Sequence, residues 1–128
     1  MKEKQLQDIT ALYGRLSRDD EVGGESMSIQ SQRAILGQYA KEHGFTNCQF
    51  FMDDGYSGTN FDRPAFTEMM ELVEQRRVRT IIVKDLSRLG RNYLEVGRYT
   101  EVIFPENKVR FIAITDGVDS AAGDNEFA

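Results

Sequence analysis

Hydrophobic positions in this chain fall into short dense runs and helical stripes that alternate along its length. Ile9 to Leu16 is a short apolar, β-favouring run and predicts a buried strand ending near Ser17. Arg18 to Met27 is rich in Asp, Glu, Gly and Ser, has no periodicity, and predicts an exposed loop. Ser28 is placed to cap a helix, in which Ile29, Ala34, Ile35, Tyr39 and Ala40 approximate an apolar stripe. Gly44 follows His43 as a stop, which predicts a helix from Ser28 to His43. Cys48 to Met52 predicts a second strand with Cys48 in the core, and Asp53 to Arg63, marked by Gly55, Gly58 and Asn60, a loop. Pro64 suits a helix start, and Phe66, Met69, Met70 and Val73 recur at helical spacing, giving a helix from Pro64 to Gln75.

The strongest strand signal is Val78-Arg79-Thr80-Ile81-Ile82-Val83, β-branched at five of six positions and suited to burial on both faces of a central strand. Tyr93 to Phe104 presents a broad helical face, with Pro105 as its stop, and Val109 to Ile114 is another strand. From Asp116 onward the chain is polar, small and acidic apart from Val118 and Phe127, which predicts a strand exit and a loose end. Strands alternating with helices call for a single α/β domain: a mainly parallel central sheet covered on both faces, in three layers. Ligands of such sheets bind beyond the C-terminal ends of the strands. Here those ends carry Arg15 and Ser17, then Asp53 to Arg63, then Lys84 to Arg91.

The 128 residues are enough for one core, and 40% hydrophobic with 29% charged residues excludes disorder as the main state. No apolar run approaches the roughly 20 residues needed to span a bilayer, and the N-terminus leads into no signal-peptide core, so the chain reads as cytoplasmic. One cysteine and one histidine rule out a disulfide framework and a zinc cluster. The net charge of −5 argues, taken alone, against a nucleic-acid partner, but its distribution is uneven. From Arg76 to Arg98 seven cations face two acids; from Tyr99 onward two cations face six acids. Eleven of the sixteen cations are arginine, whose planar fork suits phosphate oxygens.

Candidate chemistry gathers at the same edge. Arg15 and Ser17, two apart at a strand end, project from one face, where a cation beside a hydroxyl could stabilise an alkoxide and the phosphate it attacks; a plain turn is the ordinary alternative. Lys84 to Asn92 offers Arg88 and Arg91, three apart, at the opening of a helix, an arrangement suited to phosphate. Leu86 and Leu89 would pack inward, and Gly90 would permit close approach. Asp53, Asp54 and Asp85 sit at neighbouring strand ends and could instead hold Mg²⁺, although acids in such loops are commonly turn formers or caps. His43 reads as a cation complementing a helix C-terminus.

Taken together, Tyr13-Gly14-Arg15-Leu16-Ser17, Ser28-Ile29-Gln30-Ser31-Gln32-Arg33, Asp54 to Pro64 (DGYSGTNFDRP) and Asp85 to Asn92 (DLSRLGRN) resemble the catalytic domain of serine site-specific recombinases, over roughly Ile9 to Val118. The two long loops and the DLSRLGRN run are most similar to the large members of transposon and phage-integrase type. The resemblance implies a resolvase-like fold and a nucleophilic Ser17 that forms a 5′-phosphoserine link with DNA, leaving a free 3′-hydroxyl for later resealing. It implies neither ATP nor a metal ion nor another cofactor. Arg15, Arg63, Arg88 and Arg91 would bind the scissile phosphate, and Gln32 would assist near it. Small members carry aspartate where this chain has Ser87, which leaves the general acid or base unassigned.

The resemblance further implies that residues 1–128 are the N-terminal catalytic part of a longer protein whose DNA-binding domains lie elsewhere. This part alone would hold double-stranded DNA weakly, and the whole would act as a dimer and a synaptic tetramer in integration or excision of a mobile element. Two other classes compete: a recombinase-like assembly module without chemistry, and a Mg²⁺-dependent phosphotransfer or receiver domain. A receiver would need its acidic pair after the first strand, which here ends in Arg15 and Ser17.

Overall fold

In a computed structural model of the chain, the structure describes residues 9–16, 28–54, 63–90 and 93–121. These form, in order, β1 (Ile9–Leu16), α1 (Ile29–Glu42), β2 (Cys48–Asp54), α2 (Pro64–Glu74) and β3 (Val78–Val83). A 3₁₀ turn (Leu86–Arg88), α3 (Tyr93–Arg98), a π-helical turn (Tyr99–Ile103), α4 (Phe104–Glu106), β4 (Arg110–Ala113) and β5 (Val118–Asp119) follow. The five strands make one sheet in the order β2-β1-β3-β4-β5, parallel except for β5, which runs antiparallel to β4. Among the described residues no helix is long and apolar enough to cross a membrane.

Alternation along the strands divides the core between two faces. Ile9, Ala11, Tyr13, Ile81, Val83 and Phe111 meet Phe66, Met69 and Val73 of α2 and Phe104 of α4. Leu12, Ile82 and Ile112 point the other way, onto Leu36 and Ala40 of α1. β3 is buried at five of its six positions, Arg79 being the exception, as its β-branched run predicts. This is the three-layer α/β architecture expected.

The helix and strand limits follow local chemistry. Ser28 caps α1 by accepting from the Ser31 amide at 3.0 Å, and Gly44 takes a positive φ of 78° just past its end. The buried stripe of α1 is Gln32, Leu36 and Ala40, which matches the expected one only in part: Ala40 is buried and Tyr39 packs beside it, but Ala34 is exposed and Ile35 only half-buried. The amide of Gln32 occupies a core position because both of its ends are bonded, so a hydrophobicity pattern misses the true face.

Three further expectations are corrected. Cys48 is exposed, because it opens β2, an edge strand whose first three residues are all exposed; partial burial pushes its thiol pKa up. Pro105 does not stop the helix at Phe104. The preceding turn widens to π geometry, with the Phe104 amide bonding Tyr99 O, and the chain stays helical to Glu106. Val118-Asp119 is no loose end: it adds an edge strand, and Arg110 grips Asp119 through Nε and Nη2 at 3.0 and 2.7 Å.

Candidate active site

The chain leaves β1 toward β2 on one side and returns to β3 on the other, so the C-terminal ends of β1 and β3 flank the crevice where open parallel sheets bind ligands. Three candidate residues reach this crevice from separate elements: Arg15 from the end of β1, Arg63 from the residue before α2, and Arg88 from the 3₁₀ turn after β3. Their exposures are 0%, 0% and 5%, far below what arginines on a solvated loop would show.

They interlock through main-chain oxygens. Arg15 donates from Nη2 to Ser87 O at 2.5 Å and from Nε to Arg88 O at 3.3 Å. Arg88 returns the contact, its Nη1 donating to Arg15 O at 2.9 Å. Arg63 donates from Nη1 to Arg88 O at 3.3 Å and from Nη2 to Leu89 O at 2.9 Å. Carbonyl dipoles hold a guanidinium in place without neutralising it, so these bonds fix three guanidiniums at the mouth of the sheet, with Asp85 beside Arg88 at 3.5 Å.

Gln32 completes the frame from the other layer. Its Oε1 accepts from Arg15 N and its Nε2 donates to Arg15 O, both at 3.1 Å, clamping the peptide that Arg88 also grips. Gly14 makes room for this: a Cβ there would sit 2.8 Å from Gln32 Oε1 and 2.6 Å from Met52 Sδ. Gln32 therefore touches the backbone of the site. Ser17 and Arg91 lie outside the described residues, as do most of the loop before Arg63 and the loop between β1 and α1.

The segment carrying Arg88 is itself anchored. Asp116 Oδ2 accepts from Leu86 N at 2.7 Å at the start of the 3₁₀ turn, and Thr115 bonds Lys84 O through its amide and its hydroxyl. Leu89 is buried and Leu86 packs against the core, as their spacing predicts, but the helix expected to open here is this single turn. Ser87 donates its hydroxyl to Asp85 Oδ1. Burial alone would raise the Asp85 pKa, but the bond from Ser87, Arg88 Nε at 3.5 Å and Lys84 Nζ at 3.2 Å outweigh it and hold the carboxyl below its usual range. An acid this firmly ionised is a poor proton store near neutral pH.

The acids weighed as a Mg²⁺ site are engaged separately. Asp53 is buried at the end of β2, where Oδ1 accepts from Ala65 N at 2.9 Å and Oδ2 from Phe66 N at 3.0 Å, capping α2 from a distance. Asp85 faces the arginines, and Asp54 is exposed. Among the described residues no three His, Cys, Asp or Glu side chains gather as metal ligands. Tyr13, not singled out from the sequence as a candidate, lies wholly buried between Asp53 and Arg63; its YGRLS neighbourhood was the available signal.

The positive window from Arg76 to Arg98 divides in space. Arg76, Arg77 and Arg79 lie where α2 ends and β3 begins, about 20 Å from the arginine cluster for a strand of six residues. Lys108 and Arg110 join them at the start of β4. In a parallel α/β domain helices end where strands begin, so Arg76, Arg77, Arg79 and Lys108 lie at the edge of helix C-termini, while Arg110 pairs with Asp119.

Comparison with known proteins agrees with this geometry. The resolvase N-terminal domain family matches residues 10–127. The crystal structure of the N-terminal catalytic domain of TP901-1 integrase superposes with a TM-score of 0.78 and 26% identity, over 94% of this chain and 95% of that one. A resolvase family site-specific recombinase from Streptococcus pneumoniae gives a TM-score of 0.71 and 28% identity, over 89% of this chain and 76% of that one. An uncharacterised immunity region protein of Bacillus phage phi105 is 30% identical over 64 residues, half of this chain and 77% of that protein. A family match spanning nearly the whole sheet, with structural relatives above 25% identity, settles the assignment: the chain belongs to the resolvase family and is a catalytic domain of the serine site-specific recombinases.

Proposed function

We propose that this domain cleaves and rejoins DNA through a covalent bond to Ser17, as the catalytic part of a longer recombinase that moves a mobile element. The observation carrying this reading is the convergence of Arg15, Arg63 and Arg88 on one crevice, each held by backbone carbonyls. Ser17 follows Arg15 by two residues. Its Oγ attacks the scissile phosphorus, the P–O3′ bond breaks, and the 3′-oxygen leaves as a hydroxyl once protonated. The phosphoryl group is then esterified to serine through its 5′ side, and attack by a 3′-hydroxyl reverses the step. The bond count is unchanged, so neither ATP nor a metal is required by the balance.

The arginines, with Arg91, supply the charge that builds on the phosphoryl oxygens in the transition state. Because the described guanidiniums are buried, a phosphodiester reaches them only once the groups covering them move aside. Gln32 acts by fixing the Arg15 peptide. Integration as the direction of the reaction draws support from the similarity to TP901-1 integrase. Self-association has a surface at hand: a groove of about 640 Å³ between Leu86, Gly90, Gly97 and Val118, bordered by the exposed Tyr93 and Leu94.

The test is to incubate the full-length recombinase with an end-labelled pool of random-sequence duplex DNA, in EDTA and without nucleotide, then denature. A covalent adduct at the DNA 5′ end is expected, lost in Ser17→Ala. An adduct that survives Ser17→Ala, or forms only when Mg²⁺ is restored, overturns the reading.

A further inference from the structure

The guanidinium of Arg63 also contacts a side chain of β1. Its Nη1 donates to Tyr13 Oη at 3.1 Å, and Tyr13 in turn donates to Asp53 Oδ2 at 2.9 Å. The same carboxylate receives the amides of Ala65 and Phe66, the first residues after Arg63 and Pro64. The guanidinium lies 4.6 Å from the centroid of the Phe66 ring, and that ring meets Tyr13 edge-on at 5.5 Å. One carboxylate therefore fixes the backbone that carries Arg63 and, through a hydroxyl, the far end of its side chain.

We propose that Tyr13 and Asp53 are positioning residues for Arg63: they set where its guanidinium points, so that it meets the scissile phosphate in one orientation. The inference rests on the reading of Arg63 as a phosphate-binding residue given above. The chemistry favours positioning over participation. Tyr13 is fully buried, and its hydroxyl is spent on Asp53 as donor and on Arg63 as acceptor. Asp53 has both oxygens engaged by the start of α2, so it cannot leave to accept a proton without undoing the helix. What the pair controls is angle. Without the hydroxyl, the carbonyls of Arg88 and Leu89 still hold Arg63, but the link through Tyr13 to Asp53 is lost.

The experiment is a double-mutant cycle in the full-length recombinase, using a duplex recovered from the adduct selection, with single-turnover cleavage measured across DNA concentrations. Tyr13→Phe keeps the ring and removes the hydroxyl. It is expected to lower the rate at saturating DNA at least tenfold, to leave the half-saturating concentration within twofold, and to shift the melting temperature by only a few degrees. In an Arg63→Ala background the same change is expected to do nothing further. Asp53→Asn provides a second route, with the same split between rate and binding. A Tyr13→Phe rate within twofold of the parent, while Arg63→Ala abolishes cleavage, overturns the positioning role alone. An equal slowing by Tyr13→Phe with and without Arg63 also overturns it, because Tyr13 then acts through the fold. Full activity in Arg63→Ala, or failure of the selection to yield any adduct, takes down the reading of Arg63 and this inference with it.

Discussion

At the edge where the strands end, Arg15, Arg63 and Arg88 lie beneath the surface and bond to Ser87, Arg88, Leu89 and Arg15 carbonyls. At the edge where they begin, Arg76, Arg79 and Lys108 face outward beside helix C-termini, and Arg76 donates to a neutral side chain, Asn107 Oδ1, at 3.2 Å. The linear sequence counts Arg76, Arg79 and Arg88 in one basic window. Folding separates them by the length of a strand and gives them opposite work. Arginines at the first edge are desolvated and oriented in advance, which costs stability unless each N–H finds an acceptor; those at the second balance dipoles in water.

The largest effect expected from this contrast comes from deleting one cation at each edge. Arg88→Ala removes the Nη1 bond to Arg15 O and the nearby charge beside Asp85, and is expected to cost about 2–3 kcal/mol in denaturant unfolding. Its DNA cleavage is expected to fall about 100-fold or more. Arg77→Ala, at the other edge, is expected to stay within about 0.5 kcal/mol and to leave cleavage unchanged. Similar losses in the two variants would erase the distinction between the edges.

How far this contrast could be read from the residues depends on which signal carried each part. β3 and α2 announce themselves, because their burial comes from unbroken apolar runs or stripes that local period alone defines. β1 is equally plain up to Leu16. The arginines were legible through the YGRLS, FDRP and DLSRLGRN motifs, and Gln32 through the helix that follows Ser28. Long-range pairing was not. That Asp53 would cap α2, that Gln32 would grip the Arg15 peptide, and that Asp116 would hold the 3₁₀ turn all depend on elements meeting in space, at separations of 12 to 30 residues. Charge misled for the same reason: a sum over neighbours in sequence mixes two ends of one strand. β5 escaped notice because two residues against an edge have no period to detect.

A smaller effect sharpens the comparison through pH. Asp85 borders the arginine edge, and its folded pKa lies below the ordinary carboxylate value of about 3.9 because the bond from Ser87 and the charges of Arg88 and Lys84 outweigh burial. A depressed folded value means that the unfolded chain takes up the proton first as pH falls. The stabilisation is therefore complete above the ordinary value and is lost as pH drops through the folded one. Asp85→Asn should lower stability by up to about 1 kcal/mol from pH 5 to 8, and the gap to the parent should close below about pH 4. Thermal melts across that range check it. A gap that persists into acid would mean that Asp85 contributes shape, not charge.

The smallest effect lies at the opposite edge, where Arg110 forks onto Asp119 and ties β5 to β4. The hydrogen bonds that Arg110 donates to Asp119, with the charge of that carboxylate, raise the Arg110 pKa, but the arginine side chain is 41% exposed, so water and salt share its charge. Arg110→Ala is expected to cost about 0.3–1 kcal/mol at low ionic strength and almost nothing in 1 M salt, where the screening length falls to about 3 Å. Arg88→Ala should keep its full cost under both conditions, since its bonds are buried. Melts of the two variants at two salt concentrations make the measurement. If the Arg110 cost survives in 1 M salt, its hold comes from packing over Phe45, whose ring centroid lies 5.4 Å from the guanidinium. The outer edge would then share the buried character of the inner one, and the contrast would narrow to Arg76, Arg79 and Lys108.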